Sequence, residues 1–242
     1  MGVIVFNGIP STEYQIHVEK PPVYAMPERD YSVVHIPGRN GDIVVDNGSY
    51  KNVSRSYDIS FGEFDGDFTE LASGVSEWLH SASGYARLED DYEPDYFRLA
   101  YYSMDAEMEN IFHNAGRMTV EFSCKPYRFL KIGERPIMFT EAGVLKNPTF
   151  QTSLPKLRIQ VSGDGALTIG ENMIAISGIS SATSMIIDSE IQDVFEEGSL
   201  TNLNGKVSFS GGMFPSLRPG LNTISFTGNI TSVEVTPRWW IL

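Results

Sequence analysis

The chain has 242 residues, enough for one large or two modest domains, and its 41% hydrophobic and 12% aromatic content supplies packed cores and excludes disorder for the bulk of it. A formal charge of −13 repels phosphate, which argues against a sequence-specific nucleic-acid reader and against docking on an anionic membrane, and otherwise serves solubility. One cysteine, Cys124, excludes an intrachain disulfide and a cysteine-based zinc site, as suits folding in a reducing cytoplasm.

The first residues, MGVIVFNGIPS, have neither the basic start nor the apolar run of a signal peptide, and no segment reaches the roughly 20 apolar residues of a membrane span. Val3 to Phe6 reads as a short strand. Tyr14, Ile16 and Val18 alternate with polar residues as a half-buried strand, and Tyr31 to Ile36 forms another. Then comes IPGRNGDIVVDNGSY, Ile36 to Tyr50. Asn40-Gly41 and Asn47-Gly48 are both strong turn dipeptides, Pro37-Gly38 is a third break, and Ile43 to Val45 is a short β-branched strand between them. Gly38, Asn40, Gly41, Asn47 and Gly48 are therefore expected to fix a compact strand-turn-strand-turn shape.

Val53, Arg55, Tyr57, Ile59 and Phe61 alternate with Ser54, Ser56, Asp58 and Ser60, a period-two strand over nine residues. The single amphipathic helix follows, with Phe68, Leu71, Val75, Trp78, Leu79 and Ala82 on one stripe, Asp67 as N-cap, Glu70 completing a capping box and Gly84 as the stop. Tyr85 to Leu88 and Phe97 to Tyr102 read as strands around an acidic run, Glu89 to Asp95. That run reads as a solvated loop, with a calcium site as the sharper alternative. Met118, Val120 and Phe122 mark one more strand, leading into Cys124.

From Lys131 to Phe150 the pattern weakens, which sets domains at 1–135 and 136–242. The second half is turn-dense. Leu157 to Val161, Leu167 to Ile169 with Ile174 to Ile176 across Gly170-Glu171-Asn172, Met185 to Asp188, Val207 to Phe209, Ile224 to Phe226 and Val233 to Val235 suggest a β-sandwich. The fold class is mainly β: two β-sandwich domains, the N-terminal one with a single helix.

Chemistry is sparse. His17, His35, His80 and His113 are scattered without metal-site spacing, and there is no nucleophile elbow, phosphate-binding loop or dinucleotide fingerprint. Gly163-Asp164-Gly165 is a turn signal. Cys124 reads as a small buried hydrophobe. No catalytic, cofactor or metal residues are assigned, although a pair among the 31 acids could in principle serve a glycosidase. Arg238-Trp239-Trp240 is the main surface candidate. On a strand one Trp enters the core and the other faces out, either to stack on a sugar or a partner subunit or to lie under a covering loop.

YSVVHIPGRNGDIVVDNGSY (Tyr31 to Tyr50), the helix with Trp78, and MTVEFSCKPYRFL (Met118 to Leu130) resemble the N-terminal part of the distal tail protein (Dit) family of long-tailed phages and prophages of Gram-positive bacteria. Asn147-Pro148, LPKL (Leu154 to Leu157) and FPSLRPGLN (Phe214 to Asn222) resemble its C-terminal part. The resemblance implies an N-terminal ring-forming β-sandwich and a galectin-like C-terminal one. It implies a non-enzymatic hub in the virion tail tip, a homohexameric ring whose partners are the tail tube protein, a tail-associated lysin or tip protein, and receptor-binding proteins. An acidic ring would also repel DNA passing through it. The alternative is a carbohydrate-binding module acting on host cell-wall saccharide through the C-terminal sandwich.

Overall fold

The computed structural model describes residues 2–61, 68–103, 109–112 and 115–242. Asp67, the expected N-cap, and His113 lie outside the described residues. The chain forms two compact units, one of residues 1–128 with Leu242 and one of residues 129–241.

The first unit holds β1 (Ile4–Phe6), β2 (Ile9–Pro10), β3 (Ile16–Val18), β4 (Arg29–Val34), β5 (Ile43–Tyr50), β6 (Val53–Phe61), α1 (Phe68–Leu79), β7 (Ala86–Asp90), β8 (Tyr96–Tyr102), β9 (Glu109–Phe112) and β10 (Ala115–Cys124). Its main sheet runs β2-β1-β7-β8-β10-β6-β3, with β9 on the edge of β10. A bridge between Gly2 and Val18 brings the two ends of the curled sheet together. The alternation in β6 sets its faces as the sequence dictates: Val53, Arg55, Tyr57, Ile59 and Phe61 are all buried, and the intervening residues are exposed or half-buried. Opposite them, β10 presents Met118, Val120, Phe122 and Cys124 to the same core.

Helix α1 closes this core with Leu71, Val75, Trp78 and Leu79. The indole N–H of Trp78 donates to the Ile9 carbonyl at 3.1 Å, so the largest core side chain leaves no polar atom stranded. Gly74 costs helix propensity, but a β-carbon there would come within 3.2 Å of the Tyr14 ring, which packs against Trp78. The helix ends at Leu79, five residues before the expected stop at Gly84. Ser81 closes the last turn onto Trp78, and its carbonyl accepts from the Asn7 side chain at 3.1 Å, which holds the chain there.

After β11 (Arg128–Leu130), the second unit holds β12 (Ile137–Phe139), β13 (Gly143–Asn147), β14 (Lys156–Ile169), β15 (Asn172–Ile176), β16 (Thr183–Asp188), β17 (Asp193–Glu196), β18 (Val207–Phe209), β19 (Gly220–Thr236) and β20 (Trp240–Ile241). The order is β12-β19-β14-β15-β18, with β13 also on β19 and β16-β17 continuing from β14. Two pairs of short strands expected from the sequence are in fact two long ones. Gly163-Asp164-Gly165 does not reverse the chain: β14 runs through it alongside β19, with register shifts between Gln160 and Gly165. Gly228 makes this bend possible. It lies opposite Gly165 with φ of 75°, and a β-carbon on it would sit 2.6 Å from the Asp164 carbonyl oxygen. Beyond the bend β14 pairs with β15 and before it with β16, so one curled sheet supplies both layers around Leu157, Ile159, Leu167, Ile174, Ile187 and Val233.

A candidate interaction surface

Strands β4 and β5 form a two-stranded sheet of their own. Val33 lies opposite Val44 and Val34 opposite Ile43, so both faces of the hairpin carry branched apolar side chains. None of them enters the core: Tyr31 is 46% exposed, Val33 60% and Val44 58%, with Val34, Ile36 and Val45 also exposed. A hairpin alone in water is marginal, and a contiguous exposed apolar patch marks a surface made to be covered.

Gly38 and Gly48 do shape the hairpin, but as one turn and one bulge, not as successive hairpin turns at Asn40-Gly41 and Asn47-Gly48. Arg39 N–H donates to the Ile36 carbonyl at 3.1 Å, with Pro37 next and Gly38 at φ of 82°, the signature of a type II turn. Asn40 lacks the positive φ that a type I′ turn requires, although Gly41 has it, so Asn40-Gly41 lies in the connecting loop and Pro37-Gly38 makes the turn. Asn47-Gly48 is no turn between strands either. β5 runs through it to Tyr50, because the pair is absorbed in a bulge: three residues, Asn47 to Ser49, oppose Asp30 alone. Gly48 supplies the left-handed φ of 76°, and its N–H donates to Asp46 Oδ1 at 2.8 Å. The Asp30 carboxylate accepts from Asn47 and Ser49 at 3.2 and 3.4 Å, and Ser32 donates to Asn47 Oδ1 at 3.0 Å. The base of the arm is pinned by Arg29, which pairs with Asp46 at 2.8 Å and lies over the Tyr50 ring.

The acidic run that reads as a solvated loop is partly buried. Asp90 is at the end of β7, where Arg55 donates to it at 2.8 Å and the Tyr57 hydroxyl at 2.6 Å. Its second oxygen accepts the backbone N–H groups of Tyr92 and Glu93. Glu93 in turn receives Arg98 at 2.8 Å and also pairs with Arg55 and Arg128. Burial works to raise both carboxyls. The Tyr57 and Arg55 contacts outweigh it at Asp90, and Arg98 and Arg128 at Glu93, so both stay below the usual carboxylate range. Burial beside Asp90 pushes the Tyr57 phenol well up. Carboxylates held ionised against guanidiniums make an ionic anchor, and they face arginines where a calcium ion would need open oxygens. Burial likewise pushes the Cys124 thiol up to about 12, far from thiolate chemistry at neutral pH.

The C-terminal candidates are occupied within the second unit. Arg238 is not on a strand. It has a left-handed φ of 55° and forks onto Asp188 at 2.6 and 2.8 Å. Trp239 is 3% exposed in the core, so it offers no ring to a sugar. Trp240 is half-buried, with its indole N–H donating to the Thr152 carbonyl at 3.0 Å. Of the histidines, His17 is exposed on β3, His35 lies 2.9 Å from Asp42 beside the hairpin turn, and His80 contacts the Ser76 carbonyl.

The residues missed from sequence are the valines of the arm. Two consecutive valines in each strand, Val33-Val34 and Val44-Val45, break the alternation of a half-buried strand and put apolar groups on both faces.

No protein-family model matches the chain, and no curated protein matches it. Among solved structures, the Dit (gp 19.1) protein of SPP1 matches with a TM-score of 0.72 and 13% identity, over 100% of both chains. That protein is presented as a paradigm of the hub adsorption apparatus in phages infecting Gram-positive bacteria. The chain thus has the Dit fold over its full length, the fold that its sequence motifs resemble.

Proposed function

We propose that this chain is a structural hub of a phage or prophage tail tip, assembling into a homohexameric ring that joins the tail tube to the tip proteins. The observation that carries this reading is the full-length match to a hub protein in a chain that also holds out an apolar hairpin. The hairpin is the ring contact. Its two apolar faces suit a cleft in the next copy, and head-to-tail contacts of this kind close into a ring when the rotation per subunit divides a full turn.

The chemistry of the first unit supports the same role. Its buried charges tie β6, β7 and β8 to one another, and a rigid frame sets the angle at which successive copies meet. Negative-stain imaging of the purified chain tests the reading. Sixfold rings are expected, and they should bind purified tail tube protein end-on. Particles of single-chain size at every concentration, with no binding to the tube, would overturn it.

A further inference from the structure

The second unit contains a groove whose lining includes no residue of the arm. Its volume is about 450 Å³, within the roughly 300–1,000 Å³ of small-ligand pockets. The turn between β14 and β15 contributes Glu171 and Asn172 to one side. The segment 212–218 supplies Met213 and Arg218, and the loop after β16 supplies Ser189 and Gln192. Asn172 fastens two of these walls, because its amide nitrogen donates to the carbonyls of Ile169 and Ser216, both at 3.1 Å. Both amide hydrogens being used, Asn172 has its carbonyl oxygen to offer a ligand.

We infer that this groove binds a neutral, hydroxyl-rich ligand, a mono- or disaccharide. Four observations carry the assignment. Ser189, in the groove wall, is 1% exposed, yet its hydroxyl has no hydrogen-bond partner, which is rare for a buried polar group. The lining mixes a carboxylate, a guanidinium and carboxamides, a set that can both accept from and donate to vicinal hydroxyls. Glu171 and Arg218 pair at 2.6 Å on the rim with both side chains largely exposed, so the groove is close to neutral and the pair is weak enough to open around a ligand. Met213, 69% exposed, and Leu154 add an apolar surface for the C–H face of a sugar ring.

Other occupants fit less well. A phosphate-bearing polymer meets one arginine already paired to a glutamate, on a chain of net charge −13. A protein partner needs about 800 Å² of its own surface buried, more than a pocket of this size provides. The groove's lining includes neither Trp239 nor Trp240.

The test is saturation-transfer NMR on the full-length chain with glucose, galactose, N-acetylglucosamine and N-acetylgalactosamine, and with glycerol 3-phosphate as the anionic probe. At least one neutral sugar should receive saturation. Gln192→Ala and Glu171→Gln, both at exposed positions that leave the core intact, should each weaken its binding about tenfold. A sugar signal undiminished in both variants, transfer to glycerol 3-phosphate alone, or transfer to none of the four sugars would each overturn the assignment. Ring formation, read by imaging the same samples, is unaffected by any of these outcomes.

Discussion

Arg55 and Asp90 meet inside the first unit with Nη2 2.8 Å from Oδ2, their side chains 4% and 5% exposed. Neither charge is adequately solvated by water, so each depends on the other and on Tyr57 and Glu93. Removing one partner leaves an uncompensated buried charge, which costs about 3–5 kcal/mol. Arg55→Met should therefore lower the urea midpoint sharply, and adding Asp90→Leu to that variant should recover part of the loss. Equal destabilisation in the single and double variants would show that the two residues do not act as a pair.

The same cluster makes stability depend on acid in a defined direction. Asp90 and Glu93 have depressed pKa values in the folded unit, while the unfolded chain binds protons near the ordinary carboxylate values of about 4. Their stabilising contribution is fully present above that value. It falls away as the pH drops through the lower folded values, because the unfolded state takes up protons first. Urea midpoints measured from neutral to strongly acid pH should decline over that window. In Asp90→Asn the decline should be shallower, from a lower starting stability.

Gly228 gives a test confined to the second unit. With φ of 75° and the Asp164 carbonyl oxygen 2.6 Å from any added β-carbon, Gly228→Ala forces β14 and β19 apart at their bend. A left-handed conformation alone costs an alanine about 1–2 kcal/mol, and the clash adds to it. Hydrogen exchange should speed up at amides of β14 and β19 while those of β6 and β10 keep their protection. Loss of protection in β6 and β10 as well would mean that the two units unfold together.

Gly48→Val separates the arm's shape from the fold. Valine at φ of 76° strains the bulge in which Asp30 holds Asn47 and Ser49, but no residue of this hairpin belongs to the core. The thermal midpoint should barely move while ring formation is lost. Normal rings from this variant would refute the role given to the bulge.

Much of the scaffold was legible in residue order. The alternation from Val53 to Phe61 and the stripe through Leu71, Val75 and Trp78 bury the side chains that the periodicity selects. Asn47-Gly48 misled because a left-handed glycine serves a turn and a bulge equally well, and only the opposing strand decides which. The burial of Asp90 and Glu93 was hidden for a related reason: their arginines, Arg55, Arg98 and Arg128, come from three other places in the chain. The groove is less visible still, since its lining runs from Leu154 to Arg218 with no local pattern.

If the exposed hairpin closes the ring, light scattering will separate the wild type from a Val33→Lys, Val44→Lys variant. The two valines are cross-strand partners on β4 and β5, both exposed and outside the core, so lysines there spare the core and place two like charges where the next copy must dock. The wild type should reach the mass of a hexamer as concentration rises, and the variant should remain at the mass of one chain. A hexamer in the variant, or a wild type that stays monomeric throughout, would rule out the hairpin as the ring contact.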